Sequence, residues 1–174
     1  GKHCGRVIRS GVDVCASLLT GAQWLDETTL GAFADGLNIE ITGRGLVADV
    51  SAAAATLERL RSLDVRVFID DFGTGYSSLR YLHELPLDVI KIDRSFVASL
   101  AESEKSRSLV ALLVSLARSM EVGMIAEGVE DHQQLMILQE LGVHTGQGYL
   151  FSKPVPVEEA KALLEAGRPL GRDA

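Results

Sequence analysis

Short runs of apolar and β-branched residues recur along the chain, and each has the length and composition of a buried strand. The runs are Val12–Cys15, Leu37–Ile41, Val65–Ile69, Val89–Ile92 and Val122–Ala126. Apolar residues at helical spacing lie between them, over Trp24–Ala34, Val50–Leu63, Ser77–Leu85, Phe96–Met120 (as one helix or two) and Gln133–Leu141. The pattern therefore predicts strands and helices in alternation.

This alternation favours a parallel sheet, because a parallel return between strands needs a crossover connection. Near-continuous apolar strands are typical of sheets buried on both faces. A weaker strand over Val143–Leu150 and a terminal helix over Val157–Ala166 bring the count to about six βα units, whereas a closed barrel of this class has eight. The predicted fold class is α/β, in a single domain over residues 1–174 with a polar tail at 167–174.

The composition narrows the classes of partner. With 47% hydrophobic and 24% charged residues, the 174-residue chain can bury one sizeable core. Its net charge of −7 and the lack of a Lys/Arg stripe argue against a DNA or RNA surface. The longest nearly apolar run, Leu109–Ala117, is far shorter than the ~20 residues that span a bilayer, so we expect no membrane segment.

The first residues of the chain and its two cysteines indicate where in the cell the protein is expected. No secretory leader opens the chain, which begins at Gly1, and we expect that upstream sequence has been removed. Cys4 and Cys15 have neither metal-ligand spacing nor the density of a disulfide framework. We therefore expect reduced thiols and a cytoplasmic location.

Polar side chains gather where the predicted strands end. They are Glu40, Asp70, Asp71, Lys91, Asp93, Glu127, Glu130 and Gln147. The carboxyl ends of parallel strands open on one face, where α/β folds place their chemistry. Several carboxylates there would repel one another unless cations lay among them. Oxygen ligands without His or Cys indicate Mg²⁺ or Mn²⁺, and adjacent aspartates can reach two ions.

Each of these residues has a simpler interpretation when it is taken alone. An Asp-Asp pair before Gly73 is often a strand cap, and Lys91 could be a solvated strand end. Glu127 and Glu130 could complement a helix dipole, and Gln147 could belong to an ordinary turn. Independent caps have no reason to place acids at the same end of consecutive strands with a lysine among them. We therefore favour a site.

Gly73-Thr74-Gly75 follows the acid pair after one residue, Phe72. It is too short for a P-loop and lacks the Gly-Lys-Ser/Thr ending of one. Its glycines predict a mobile or tightly bent loop beside the acids. The four histidines have no metal-ligand spacing, so we expect structural or surface roles for them.

Five motifs carry a resemblance to one protein family. They are "LNIEIT", "DDFGTGYSSLRYL", "LPLDVIKID", "IAEGVED" and "QGYLFSKPVP", in the family's order and spacing. Over about residues 37–166 the chain resembles the EAL-domain family, phosphodiesterases that open the bacterial second messenger cyclic di-GMP to the linear dinucleotide pGpG. The resemblance implies a modified TIM barrel, here incomplete, with two Mg²⁺ or Mn²⁺ ions and cyclic di-GMP as ligand.

The resemblance also implies a role for each matching residue. Those that match metal ligands are Glu40, Asp70, Asp71 and Glu127. Lys91 matches the lysine that orients the nucleophilic water, and Glu130 matches a carboxylate that supports Glu127. The residues implied near the substrate are Phe72, Gly73, Thr74, Gly75 and Gln147.

Three departures from the family pattern concern the site. The Glu-Ala-Leu signature, whose glutamate is a metal ligand, is expected before Gly1 together with about two βα units. In "VDVCAS", Cys15 stands where the family has a metal-binding asparagine, and a neutral thiol is a poor ligand for a hard cation. Gly43 stands where a glutamate anchors the loop over residues 72–78.

These departures leave the function open among three hypotheses. The family reaction is metal-dependent hydrolysis of cyclic di-GMP, and we expect it to be weak or absent in this chain as given. The alternatives are a catalytically inactive cyclic di-GMP sensor and a protein-interaction module. Because missing units would leave strand edges and apolar barrel interior exposed, we also expect self-association or association with an upstream signalling domain.

Overall fold

The computed structural model describes residues 11–14, 38–42, 50–73, 82–156, 158–159 and 162. The strands are β1 Gly11–Val14, β2 Asn38–Thr42, β3 Arg66–Phe72, β4 Val89–Ile92 and β5 Gly123–Ala126. The helices are α1 Val50–Ser62, α2 Arg94–Ala98, α3 Glu104–Ser119 and α4 His132–Leu141. Described helices separate β2 from β3 and β4 from β5, and α4 follows β5, as predicted. The predicted helix between β1 and β2 and most of the one between β3 and β4 lie outside the described residues.

Some predictions fall outside the described residues. These are the helix over Trp24–Ala34, most of the helices over Ser77–Leu85 and Val157–Ala166, and the residues Cys15, Gly43, Thr74 and Gly75. Among the described residues, no helix has both the length and the apolar character needed to cross a membrane.

The strands form one parallel sheet in the order β1-β2-β3-β4-β5. The predicted weak strand over Val143–Leu150 is reduced to a single parallel bridge, in which Gly146 pairs with Ala126 at the end of β5. Ala126 N–H donates to Thr145 O at 3.0 Å, and Gln147 N–H donates to Ala126 O at 2.8 Å. The sixth unit therefore joins the sheet edge at one point, beside the polar strand ends.

Two apolar clusters lie between the sheet and its helices. The first packs α1 against β2, β3 and β4, with Ile41, Leu57 and Val67 fully buried. The second joins the last two strands to α2, α3 and α4, with Ile92 and Val110 fully buried. In both clusters alternate strand residues face the helices, which leaves the intervening residues to the opposite face of the sheet.

Capping residues explain why the predicted helix over Phe96–Met120 is two helices. The side chain of Asp93 caps α2, and that of Ser103 caps α3 by accepting from Ser106 N–H. The carbonyl groups of Leu100 and Ala101 lie between the two helices. The guanidinium group of Arg107 in α3 donates to them at 2.8 and 3.1 Å. These bonds satisfy carbonyl groups of the turn between α2 and α3, which belong to neither helix.

We predict that Leu57→Ala lowers the free energy of unfolding by about 2–5 kcal/mol, because it opens a cavity in the first cluster, where Leu57 is 0% exposed. Leu112→Ala is the matched control on α3, where the side chain is 62% exposed, and it should change stability by less than about 0.5 kcal/mol. Urea unfolding of both variants measures the difference. Equal losses would mean that the first cluster is not the core.

Candidate metal centre

Polar side chains from four neighbouring strands converge at the carboxyl edge of the sheet. Glu40 lies in β2, Asp70 and Asp71 in β3, Lys91 in β4, and Glu127 directly after β5. Glu40, Asp70 and Lys91 alternate with Ile41, Ile69 and Ile90, which belong to the first apolar cluster. Strand alternation therefore places all three polar residues on the face away from the helices. The predicted convergence of these residues is present.

Lys91 is the centre of the cluster. Its Nζ lies 2.5 Å from Glu40 Oε2, 2.7 Å from Glu127 Oε1 and 3.1 Å from Asp70 Oδ1. The Lys91 side chain is only 5% exposed. A buried ammonium ion requires compensating charge, and here carboxylates from three different segments provide it.

A β-bulge explains how adjacent residues can both serve the site. Ile69 pairs with Ile90 and Phe72 pairs with Ile92, so β3 places both aspartates where β4 places only Lys91. Asp71 has φ of +51°, in the left-handed region that Asp and Asn tolerate better than most residues. In a regular strand Asp71 would point at the helices. The extra residue keeps it at the site and returns Phe72 to the core.

The acids fit a hard divalent cation. One carboxylate oxygen from each of Asp70, Asp71 and Glu127 lies within 4.8 Å of the other two. Asp70 Oδ1 is buried and close to Lys91, yet it makes no hydrogen bond of acceptable geometry. A buried carboxylate oxygen with unused acceptor capacity suits a metal ion, and all-oxygen donors suit Mg²⁺ or Mn²⁺.

The electrostatics of the cluster raise the pKa of both Lys91 and Glu127. Burial opposes the charge of Lys91, but hydrogen bonds to Glu127 and Glu40, the charge of Glu127 and the nearby Asp70 carboxylate outweigh it, so the pKa of the ammonium group lies above its ordinary value. Burial is the largest cause at Glu127, whose pKa is raised despite Lys91, with further repulsion from Asp70 and Glu40. Burial and the neighbouring acids therefore disfavour the negative charge of Glu127, whereas the same acids favour the positive charge of Lys91.

The structure also describes four other predicted site residues, namely Gln147, Phe72, Gly73 and Glu130. Gln147 joins the site, because its Nε2 donates to Glu127 Oε1 at 2.7 Å. Phe72 is buried, and Gly73 begins the predicted loop with φ of +101°. Glu130 is exposed, and its backbone N–H donates to Gln134 Oε1 at 2.8 Å. Within the described part of the chain, no bond links the Glu130 carboxylate to Lys91, Glu127 or Gln147.

Asp93 also lies at a strand end, directly after β4, although the sequence gives it no role in the site. Its carboxylate accepts from the N–H and hydroxyl groups of Ser95. Burial opposes the charge, but these bonds and Arg94 lower the pKa of Asp93. The cap motif Asp-x-Ser after "KI" is a sequence feature that indicates its position.

Comparison with known proteins agrees with this geometry. A family model described as EAL domain matches residues 8–154. The cyclic di-GMP phosphodiesterase NbdA of Pseudomonas aeruginosa is 40% identical over 166 residues, which are 92% of this chain and 21% of that protein. The cyclic di-GMP phosphodiesterase PA2567 of the same organism is 37% identical over 162 residues, 90% of this chain and 28% of its own length. The chain therefore spans less than a third of either relative.

Solved structures match as well. The phosphodiesterase PaMucR in complex with c-di-GMP has a TM-score of 0.77 at 35% identity, over 86% of this chain and 63% of that one. BlrP1 of Klebsiella pneumoniae, in a manganese and cyclic di-GMP complex, has a TM-score of 0.73 at 30% identity, over 83% of this chain and 38% of that one. These matches confirm the predicted α/β, TIM-barrel-like fold class.

We predict that Lys91→Met destabilises the metal-free protein by about 3–5 kcal/mol at pH 7, because it leaves carboxylates buried without their cation. The loss should shrink as the pH falls, since Glu127, whose pKa is already raised, takes up a proton and the repulsion declines. Urea unfolding with a chelator at pH 7 and pH 5 measures both effects.

Lys105→Met is the matched control, because Lys105 is an exposed lysine on α3. It should leave stability nearly unchanged at both values of pH. A Lys91→Met loss that is small, or equally large at both values of pH, would contradict the role of Lys91 as the counter-ion.

Proposed function

Because this chain belongs to the EAL domain family, we propose that it acts in cyclic di-GMP signalling through a divalent-metal site at the carboxyl edge of its sheet. One observation carries the proposal: three carboxylates from β3 and the end of β5 offer ligand atoms within 4.8 Å of one another. The relatives named as cyclic di-GMP phosphodiesterases, and the related structure with manganese and cyclic di-GMP, support the choice of ligand and of metal.

In this proposal Asp70, Asp71 and Glu127, together with Glu40, hold Mg²⁺ or Mn²⁺. The metal supplies Lewis acidity, which lowers the pKa of water and offsets negative charge on the phosphodiester. Asp70 Oδ1 has unused acceptor capacity for it, and the bulge at Asp71 brings a second carboxylate to the same face.

Lys91 and Gln147 fix the position of Glu127. Both donate to Glu127 Oε1, at 2.7 Å in each case, so this carboxylate is held from two sides. In the proposal the Glu127 carboxylate, held in this way, lies beside an attacking water. Lys91 orients that water in the proposal, whereas Glu130 has no role in it, because its carboxylate is exposed and makes no bond to Glu127 in the described part of the chain. The loop that begins at Gly73 and includes Thr74 and Gly75 contacts the nucleotide in the proposal, whereas Phe72 before it is buried in the first apolar cluster.

We further propose that hydrolysis by this chain is weak. The resemblance places Cys15 at a metal-binding asparagine and Gly43 at the glutamate that anchors the loop after Asp71. A thiol in place of an amide oxygen weakens the hold on a hard cation. Binding of cyclic di-GMP with little turnover, as in a sensor, is the second candidate function, and these two positions favour it.

We predict that Asp71→Asn abolishes Mn²⁺ binding, because an amide offers one neutral oxygen where the cation prefers a charged one. Asp64→Asn is the matched control, since Asp64 also has positive φ, +64°, but precedes β3 at the opposite end of the strand. Titration calorimetry of both variants measures the affinity. Undiminished Mn²⁺ binding by Asp71→Asn would place the metal elsewhere.

We predict that the chain as given converts little or no cyclic di-GMP to pGpG with Mn²⁺, and that Cys15→Asn increases the rate by about tenfold or more by restoring an oxygen ligand. Chromatography of the nucleotide products measures the conversion. Gly43→Glu should add to the gain, and Glu127→Gln should remove all activity. Robust turnover by the unmodified chain would contradict the weakened site. Tight binding without turnover in every variant would favour the sensor.

A further inference from the structure

The short helix α2 contacts both acid-bearing segments of the site. It spans Arg94–Ala98 and follows β4 after the single residue Asp93. Val97 within it and Leu100 just after it are both 0% exposed and belong to the second apolar cluster. The helix is thus fixed by its inner face. Its other side chains can serve as a firm support for their neighbours.

The first contact joins α2 to the segment after Asp71. Gly73 lies two residues beyond Asp71, and a β-carbon built on it would lie 2.6 Å from Cε2 and 3.0 Å from Cζ of Phe96. The Phe96 ring therefore packs directly on the main chain of Gly73. Phe96 is itself packed against the second apolar cluster. The ring limits how far the main chain of residues 71–73 can move toward α2.

The second contact joins α2 to the segment that carries Glu127. A β-carbon built on Gly128, which has φ of +66°, would lie 2.6 Å from Cβ of Arg94. The Cβ atom of Arg94 is fixed to the helix backbone and cannot rotate away. Just before the helix, Ile92 O accepts from Glu127 N–H at 3.1 Å, which holds the same segment on its other side.

We propose that α2 is a spacer that sets the separation between the Asp71 and Glu127 carboxylates, with Phe96 and Arg94 as its positioning residues. The inference rests on the proposed metal site, because a metal that demands near-ideal geometry makes the separation matter. Phe96 fixes the segment after Asp71, and Arg94 fixes the segment after Glu127. Neither residue touches the metal or the substrate in this role.

The test compares Phe96→Ala with Leu138→Ala, which truncates a buried residue of the same apolar cluster on α4. Both variants should lower the melting temperature. Only Phe96→Ala should weaken Mn²⁺ binding, by about tenfold or more, as loss of an orienting partner does at metal sites. Phe96→Leu, which keeps an apolar side chain against Gly73, should recover most of the affinity.

A readout without metal separates this inference from the proposed function. In hydrogen–deuterium exchange of the metal-free protein, Phe96→Ala should speed exchange of residues 71–73 by about tenfold relative to Leu138→Ala. If the unmodified chain binds no Mn²⁺, the proposed function fails and the exchange result alone decides the spacer. Unchanged exchange, or faster exchange with undiminished Mn²⁺ affinity in a chain that binds the metal, would overturn the spacer.

The Arg94 contact has its own test. Gly128→Ala should weaken Mn²⁺ binding by about tenfold, because the new methyl group collides with Arg94 Cβ and displaces Glu127. Adding Arg94→Gly removes the colliding atom but not the backbone strain of a side chain at φ of +66°, so it should restore part of the lost affinity. No recovery in the double variant would overturn the assignment of Arg94.

Discussion

The Lys91 ammonium group is the interaction on which the candidate site depends. Its contacts with Glu40, Asp70 and Glu127 tie β2, β3, β4 and the end of β5 to one buried point. Carboxylates at this density would otherwise repel one another in a region shielded from water. A resident cation lets the sheet form with its acids already gathered, and folding does not have to wait for a metal.

The geometry follows from strand alternation and parallel register. The first apolar cluster contains Ile41, Ile69 and Ile90, which point towards the helices. The polar residues next to them in each strand therefore lie on the opposite face of the sheet. Parallel pairing then brings those neighbours to the same edge. The packing that stabilises the sheet against its helices is therefore the same packing that assembles the site. A change in either would disturb both.

The strands, most helices and the convergence of acids could be predicted from periodicity, because burial imposes a regular spacing that the sequence displays. The predicted strand over Val65–Ile69 stopped too early, since β3 continues through both aspartates to Phe72. The bulge that permits this depends on pairing with β4, and the local sequence of β3 does not show that pairing.

The contacts of Phe96 with Gly73 and of Arg94 with Gly128 were likewise not predictable, because they join segments distant in sequence. Sequence reasoning grouped Glu130 with the catalytic residues by motif, whereas the structure leaves its side chain exposed.

The bulge in β3 makes the sheet compatible with two different chain lengths at this point. Deleting Asp70 or Asp71 would restore regular pairing between Ile69–Ile90 and Phe72–Ile92, with the surviving aspartate still opposite Lys91. Such a deletion shortens a strained stretch of backbone and restores regular hydrogen bonding between β3 and β4. We therefore expect it to cost the fold little stability. A single-codon deletion could thus remove one carboxylate of the candidate metal centre and keep the scaffold, which would then be free to serve another use.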